Sequence, residues 1–228
     1  MGELIVLTER RDPGLCARPA ARSRPAFYFD LDCPFSYLAA ERVERALGDV
    51  EWVPTPATAL GSGTRLAPPA RAQAEHRAAE LRLPLVWPAG LDAGSPSALR
   101  AASYAAEVGA GARFALAASR LAFCGGFELR DPAILAEAAA AAGIGLEACL
   151  LAAADPARDG ELHAAGRELL GLGVRRLPAV RVGSRCLQGE LALGAAAALV
   201  QAGLARNPPG RGPPWRGRPV ARALAPVG

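Results

Sequence analysis

Lysine is absent from this 228-residue chain, histidine occurs twice and methionine once. Alanine, glycine, proline and arginine dominate instead, a bias that reads as base composition of the source genome rather than as function. Cysteine is sparse as well. Cys16, Cys33, Cys124, Cys149 and Cys186 are too few and too scattered for a disulfide framework, and no Cys-x-x-Cys or Cys/His cluster has zinc-ligand spacing. That excludes a disulfide-stapled scaffold and gives no reason to expect a metal. Long apolar runs are also missing. The run Leu4–Leu7 is soon followed by Glu9-Arg10-Arg11 and is too short for a signal-peptide core. The alanine-rich segments 133–154 and 191–205 are interrupted by Glu137 and Glu147 or are too short to span a bilayer. The expectation is a cytoplasmic protein with reduced thiols and no membrane segment.

The net charge of +4 is unevenly spread. Residues 1–25 carry +2 and residues 206–228 carry +5, which leaves about −3 on residues 26–205. A mildly acidic body argues against a basic groove for nucleic acid.

What is present centres on AFYFDLDCPFSYLAAERVERALG, residues 26–48. Phe27, Tyr28 and Phe29 read as a buried strand, and Phe35, Ala39, Ala40, Val43 and Leu47 recur at helical spacing on one face. Pro34 suits the first helical position, because its missing N–H would be unpaired there. Cys33 is thereby set at the cap, facing orphan amides and the positive end of the helix dipole, so its thiol is expected to ionise below the ordinary value of about 8.5. The competing reading is a small buried core residue, the usual fate of a free cysteine. Asp32, directly before it, brings a charge that opposes the thiolate.

Val50–Val53 reads as a second strand stopped by Pro54 and Pro56. Residues 61–69 are Gly/Pro-rich, and a helical series follows. Ser95-Pro96 opens a helix closing at Gly109, Arg113–Cys124 is another, Asp131-Pro132 opens one closing at Gly143, and Asp155-Pro156 starts a region leading to Gly171. Strand character returns at Ala179–Val182 and Arg185–Leu187 around a Gly183-Ser184 turn, and a small-residue helix spans Leu191–Ala205. The expected organisation is a loose extension at 1–25, with a short strand at Leu4–Leu7 as its alternative. A core at 26–64 and 166–205 follows, with an all-helical insertion at 65–165 forming a lid over the thiol and a disordered basic tail at 206–228. His76 and His163 lie in polar helical sequence and read as surface residues.

This order resembles the thioredoxin fold as arranged in the DsbA family, an α/β fold carrying a helical insertion, over roughly residues 26–203. The branch that it most resembles contains 2-hydroxychromene-2-carboxylate isomerase and kappa-class glutathione transferase. Sequences there read like FYFD-x-x-SP-[FY]-SYLA, and FYFDLDCPFSYLA matches with Cys33 in place of the usual serine. Leu177-Pro178 resembles the family's cis-proline loop, and Gly189 the glycine after the last strand. The resemblance implies that Cys33 is the nucleophile, with Ser36 as hydrogen-bond donor to its thiolate. It also implies a substrate and thiol-binding set of Pro34, Phe35 and Tyr37 near the entrance, a clamp at Leu177 and Pro178, and Gly189 with Glu190 beyond. A cis bond before Pro178 would turn the Leu177 backbone outward to pair with an extended thiol-bearing partner.

Two departures matter. DsbA-like oxidants carry a second cysteine three residues after the first, where this chain has Ser36. Glutathione-using relatives have an acidic and a basic residue soon after the glycine, where this chain has Glu190-Leu191-Ala192. The reading is a single-cysteine thiol–disulfide oxidoreductase, with glutathione or another low-molecular-weight thiol as candidate cofactor. Its partners are a small thiol or disulfide or a protein thiol, and a homodimer is left open. Two alternatives stand beside it: an isomerase or transferase that holds a thiol cofactor with Cys33 in the serine role, and a non-catalytic binding module.

Overall fold

In the computed structural model, which describes residues 24–61 and 66–206, strand β1 (Ala26–Phe29) runs through the middle of a four-stranded sheet. Its neighbours are β2 (Glu51–Pro54), parallel on one side, and β3 (Ala179–Val182), antiparallel on the other; β4 (Arg185–Gln188) completes the order β2-β1-β3-β4. The expectations for the extension at 1–23 and the tail at 207–228 lie outside the described residues.

All four residues of β1 are buried, as a strand covered on both faces requires. Phe27 and Phe29 stack at 5.7 Å on one face, with the Trp52 ring edge-on to them at 5.0 and 5.6 Å. Tyr28 points the other way and packs with Leu169, Val174 and Leu177. Strand β2 sits one residue later than its expected position, because pairing with β1 sets Ala26 opposite Glu51 and Phe29 opposite Pro54. Proline is tolerated there because β2 is an edge.

Helix α1 (Pro34–Leu47) buries Leu38, Ala39, Ala40, Val43 and Leu47 in the larger core cluster with Phe27 and Phe29. The interval 66–171 contains helices and connecting loops but no strand among the described residues. It comprises α2 (Pro68–Leu81), α3 (Pro96–Glu107), α4 (Gly111–Phe123), α5 (Pro132–Ala142), α6 (Leu146–Ala154) and α7 (Asp159–Gly171), and α8 (Leu193–Arg206) closes the described chain. Asp131 caps α5 through the Ala133 amide, and Asp155 accepts from the Ala157 amide in the turn before α7. Ser95 differs from expectation: it makes no cap bond, because its hydroxyl is turned to Asp32. The domain boundary expected between 165 and 166 falls inside α7. That helix is continuous because Leu162 joins the larger cluster while Leu169 packs beneath Tyr28. Gly166 lets α7 approach the 57–60 turn so closely that a Cβ there would lie 2.3 Å from the Ala59 Cβ.

Candidate active site

Cys33 stands at the N-cap of α1 with extended backbone (φ −100°, ψ 112°) and Pro34 behind it. Its side chain makes no capping hydrogen bond. Instead the thiol faces the loop before β3, where Sγ donates to the Leu177 carbonyl at 3.8 Å. The Leu177–Pro178 bond is cis, and the Pro178 carbonyl accepts from the Gly189 amide at 2.7 Å, tying this loop to the end of β4. Gly189 takes φ +88°, a region that glycine enters without steric cost.

The expected acidic thiol is not what the structure gives. Burial pushes the Cys33 thiol up to about 11; the Ser36 hydroxyl and the Ser36 and Phe35 amides favour the thiolate but are outweighed. A nearby negative charge adds to the rise, and it comes from Asp30 rather than from Asp32. Cys33 is therefore a thiol at neutral pH, consistent with its role as donor to Leu177. Ser36 is buried, and its hydroxyl oxygen accepts from the Asp30 amide at 3.3 Å.

Asp30, which is buried, and Asp32, which is half-buried, form a carboxyl pair beside the cysteine. Asp30 accepts from the Asp32 amide at 2.9 Å and the Ala57 amide at 2.6 Å, and burial raises its carboxyl. Asp32 accepts from the Ser95 amide at 2.5 Å and the Ser95 hydroxyl at 2.9 Å. Burial first, and then the Asp30 charge, raise the Asp32 carboxyl to about 7, against the pull of Ser95 and Arg130. Both carboxyls also line a separate cavity of about 210 Å³ that reaches Arg100 and the exposed His163.

A cavity of about 280 Å³ opens over Cys33. The core supplies Pro34, Phe35, Arg176 and Leu177, and the helical insertion supplies Leu66, Ala70 and Gln73. No second cysteine lines it among the described residues. Phe35, Gln73, Arg176 and Leu177 are shared with an adjoining cavity of about 520 Å³ that extends past Gly189 and Glu190 to Arg77 and the exposed His76. Cys33, Pro34, Phe35, Leu177, Gly189 and Glu190 thus come together around one continuous cleft.

Tyr37 does not join them. Its ring is 1% exposed and stacks on Phe123 at 5.4 Å, and its hydroxyl donates to the Pro84 carbonyl at 2.9 Å and lies 3.3 Å from the Cys124 sulfur. Position 37 lies on the side of α1 that packs against α4, so the residue anchors the insertion rather than lining the entrance. Glu190 is only 3% exposed and is held by Arg42 of α1 and by Arg77 of α2, the latter at 2.7 Å. Two other helices thus supply the cations that neutralise Glu190. Arg176, Gln73 and Arg77 were not among the expected site residues. Only the neighbour relation of Arg176 to Leu177-Pro178 marks any of them in the sequence.

The sequence pattern of the DSBA-like thioredoxin domain family matches residues 26–200. No curated protein matches the chain by sequence. Among solved structures, 2-hydroxychromene-2-carboxylate isomerase superposes with a TM-score of 0.63 at 16% identity, covering 80% of this chain and 94% of that one. The cytosolic disulfide reductase DsbM from Pseudomonas aeruginosa, solved with GSH, gives 0.61 at 16% identity, covering 80% and 99%. A probable DsbA oxidoreductase from Streptomyces coelicolor gives 0.60 at 22% identity, covering 78% and 90%. At these identities the likeness concerns the fold.

Proposed function

This chain belongs to the family of DSBA-like thioredoxin domains, and from that premise we propose that it is a thiol–disulfide oxidoreductase working through the single cysteine Cys33. The observation that carries the reading is the Cys33 sulfur facing the Leu177 carbonyl beside the cis-Pro178 bond, inside a cavity that no other cysteine lines among the described residues. Cys33 gives up its proton and its sulfur attacks one sulfur of a disulfide. A Cys33–substrate disulfide forms, the old S–S bond breaks, and the leaving thiolate takes a proton. The Ser36 hydroxyl and the first-turn amides stabilise the transient Cys33 thiolate. Ser36 cannot attack the mixed disulfide, so release requires an external thiol.

Glutathione or a similar small thiol is the co-substrate we propose, and a reducing cytoplasm is the setting that supplies it. The residues fit a short peptide thiol. Its cysteine would enter the space over Cys33 and its backbone would lie along Leu177, leaving the adjoining cavity for one arm. A second reading rests on the protonated state of Cys33. A resting S–H is a hydrogen-bond donor, as a serine hydroxyl is, and supports an isomerase or transferase in which Cys33 holds the sulfur of a bound thiol cofactor without forming a bond.

Mass spectrometry after exposure to a small disulfide separates these readings. The single-cysteine oxidoreductase keeps a stable adduct on Cys33, whereas Ser36→Cys expels it and closes an internal disulfide. Reversible thiol binding without an adduct favours the second reading, and neither outcome leaves a binding module. Spontaneous loss of the adduct from wild type with an internal disulfide sinks the single-cysteine mechanism.

A further inference from the structure

Arg176 stands where the Cys33 cavity meets the larger one and lines both. The cations around this junction are not equally available. The Arg77 guanidinium is spent on Glu190 through Nε and Nη2 and on Glu80 through Nη1, and Arg42 is bound to Glu190. The Arg175 guanidinium is bound to the Leu170 and Val174 carbonyls. Arg176 is exposed and lines both cavities, and its guanidinium makes no ion pair among the described residues. Its backbone is nevertheless anchored: the Arg175 and Arg176 amides both donate to the Gln188 side-chain oxygen, at 2.8 and 3.2 Å. The loop therefore presents an unneutralised guanidinium beside Leu177 at a defined place.

We infer that Arg176 is a specificity-determining residue that selects small disulfides carrying a carboxylate on the arm that lies toward the larger cavity. This rests on the thiol–disulfide reading of Cys33 given above. Arg176 lines both the Cys33 cavity and the larger one, so an anionic arm laid toward the larger cavity meets its fork, which can take a carboxylate in a bidentate pair. A cationic arm meets Arg176 directly and is disfavoured. The chemistry at sulfur is unchanged: Cys33 loses its proton, the Cys33–S–S–R bond forms, and the departing thiolate is protonated.

The test uses three symmetrical disulfides of similar length, namely dithiodiglycolate, bis(2-hydroxyethyl) disulfide and cystamine. For each, the rate of Cys33 adduct formation is divided by its rate with a small free thiol, which removes intrinsic differences in leaving-group reactivity. Wild type is expected to favour the dianion over the neutral disulfide by about fivefold, which is about 1 kcal/mol at 1.36 kcal/mol per decade. That preference should shrink at high salt. Arg176→Lys should retain most of it, Arg176→Gln should abolish it, and Arg176→Glu should reverse the order in favour of cystamine. An anion-to-neutral ratio that stays the same in wild type and Arg176→Glu overturns the assignment. Failure of all three disulfides to label Cys33 overturns the thiol reading itself, and the selectivity proposal with it.

Discussion

Asp32 holds the N-terminus of α3 to the loop that carries the cysteine by accepting both Ser95 hydrogen bonds, and it does so in a partly buried setting beside a second acid. Its carboxyl lies near 7 in the folded protein against about 3.9 in an unfolded chain. Between those values the folded state keeps a proton that the unfolded state has released, so stability falls as pH rises through the window. Urea unfolding should therefore show wild type losing on the order of 2–4 kcal/mol between pH 5 and pH 8. Asp32→Asn should lose less than half of that, the remainder belonging to Asp30; equal losses in the two proteins would contradict the assignment. The sequence does not announce this arrangement. Asp32 and Ser95 are 63 positions apart, and Ser95 in front of Pro96 has the local signature of an ordinary cap. The same limit applies to the thiol. The Cys33-Pro34 dipeptide shows a helix start, but the burial that raises the cysteine comes from elements far along the chain.

Among the elements, α7 makes a close approach to its surroundings at Gly166. It closes against the 57–60 turn with no room for a side chain at 166. Gly166→Val would force the helix away from Ala59, and overpacking of this kind costs about 1–3 kcal/mol. The expected result is a thermal midpoint lowered by roughly 2–12 °C, at 2–4 °C per kcal/mol for a chain of this size. A midpoint at or above that of wild type would mean that the turn yields freely. Element types were legible because they depend on local pattern: three buried aromatics for β1, Pro-led helix starts, and Gly183 in the hairpin turn. The limits of the insertion were not, because α7 carries one leucine to the helical cluster and another to the underside of the sheet. No composition shift marks the residue between them.

On the scale of the whole molecule, Glu190 is one of the points that tie α2 to the core. Arg77 from α2 and Arg42 from α1 meet on this buried carboxylate, so three segments distant in sequence share one charge cluster. Arg77→Met removes the α2 arm while Arg42 still neutralises Glu190. Amide exchange across 68–81 should accelerate by about tenfold or more, as expected when a locally stable unit loses on the order of 1.4 kcal/mol, while the amides of β1 stay protected. Equal acceleration in both places would point to global destabilisation. The cis-proline loop and Gly189 were legible from short motifs, whereas the Glu190 cluster spans 113 and 148 positions to its two arginines and has no local trace.

The strand order has a consequence for crowding. Among the described residues β2 and β4 form the two rims of the sheet, and a strand rim is a template on which a neighbouring molecule could extend a fibril. Here the outer strands are only four residues long. On the β2 rim Pro54 has no N–H to offer, and Glu51 is exposed; on the β4 rim the exposed residue is Arg185. Missing donors and solvated charges on so short a rim discourage sheet-to-sheet growth between copies.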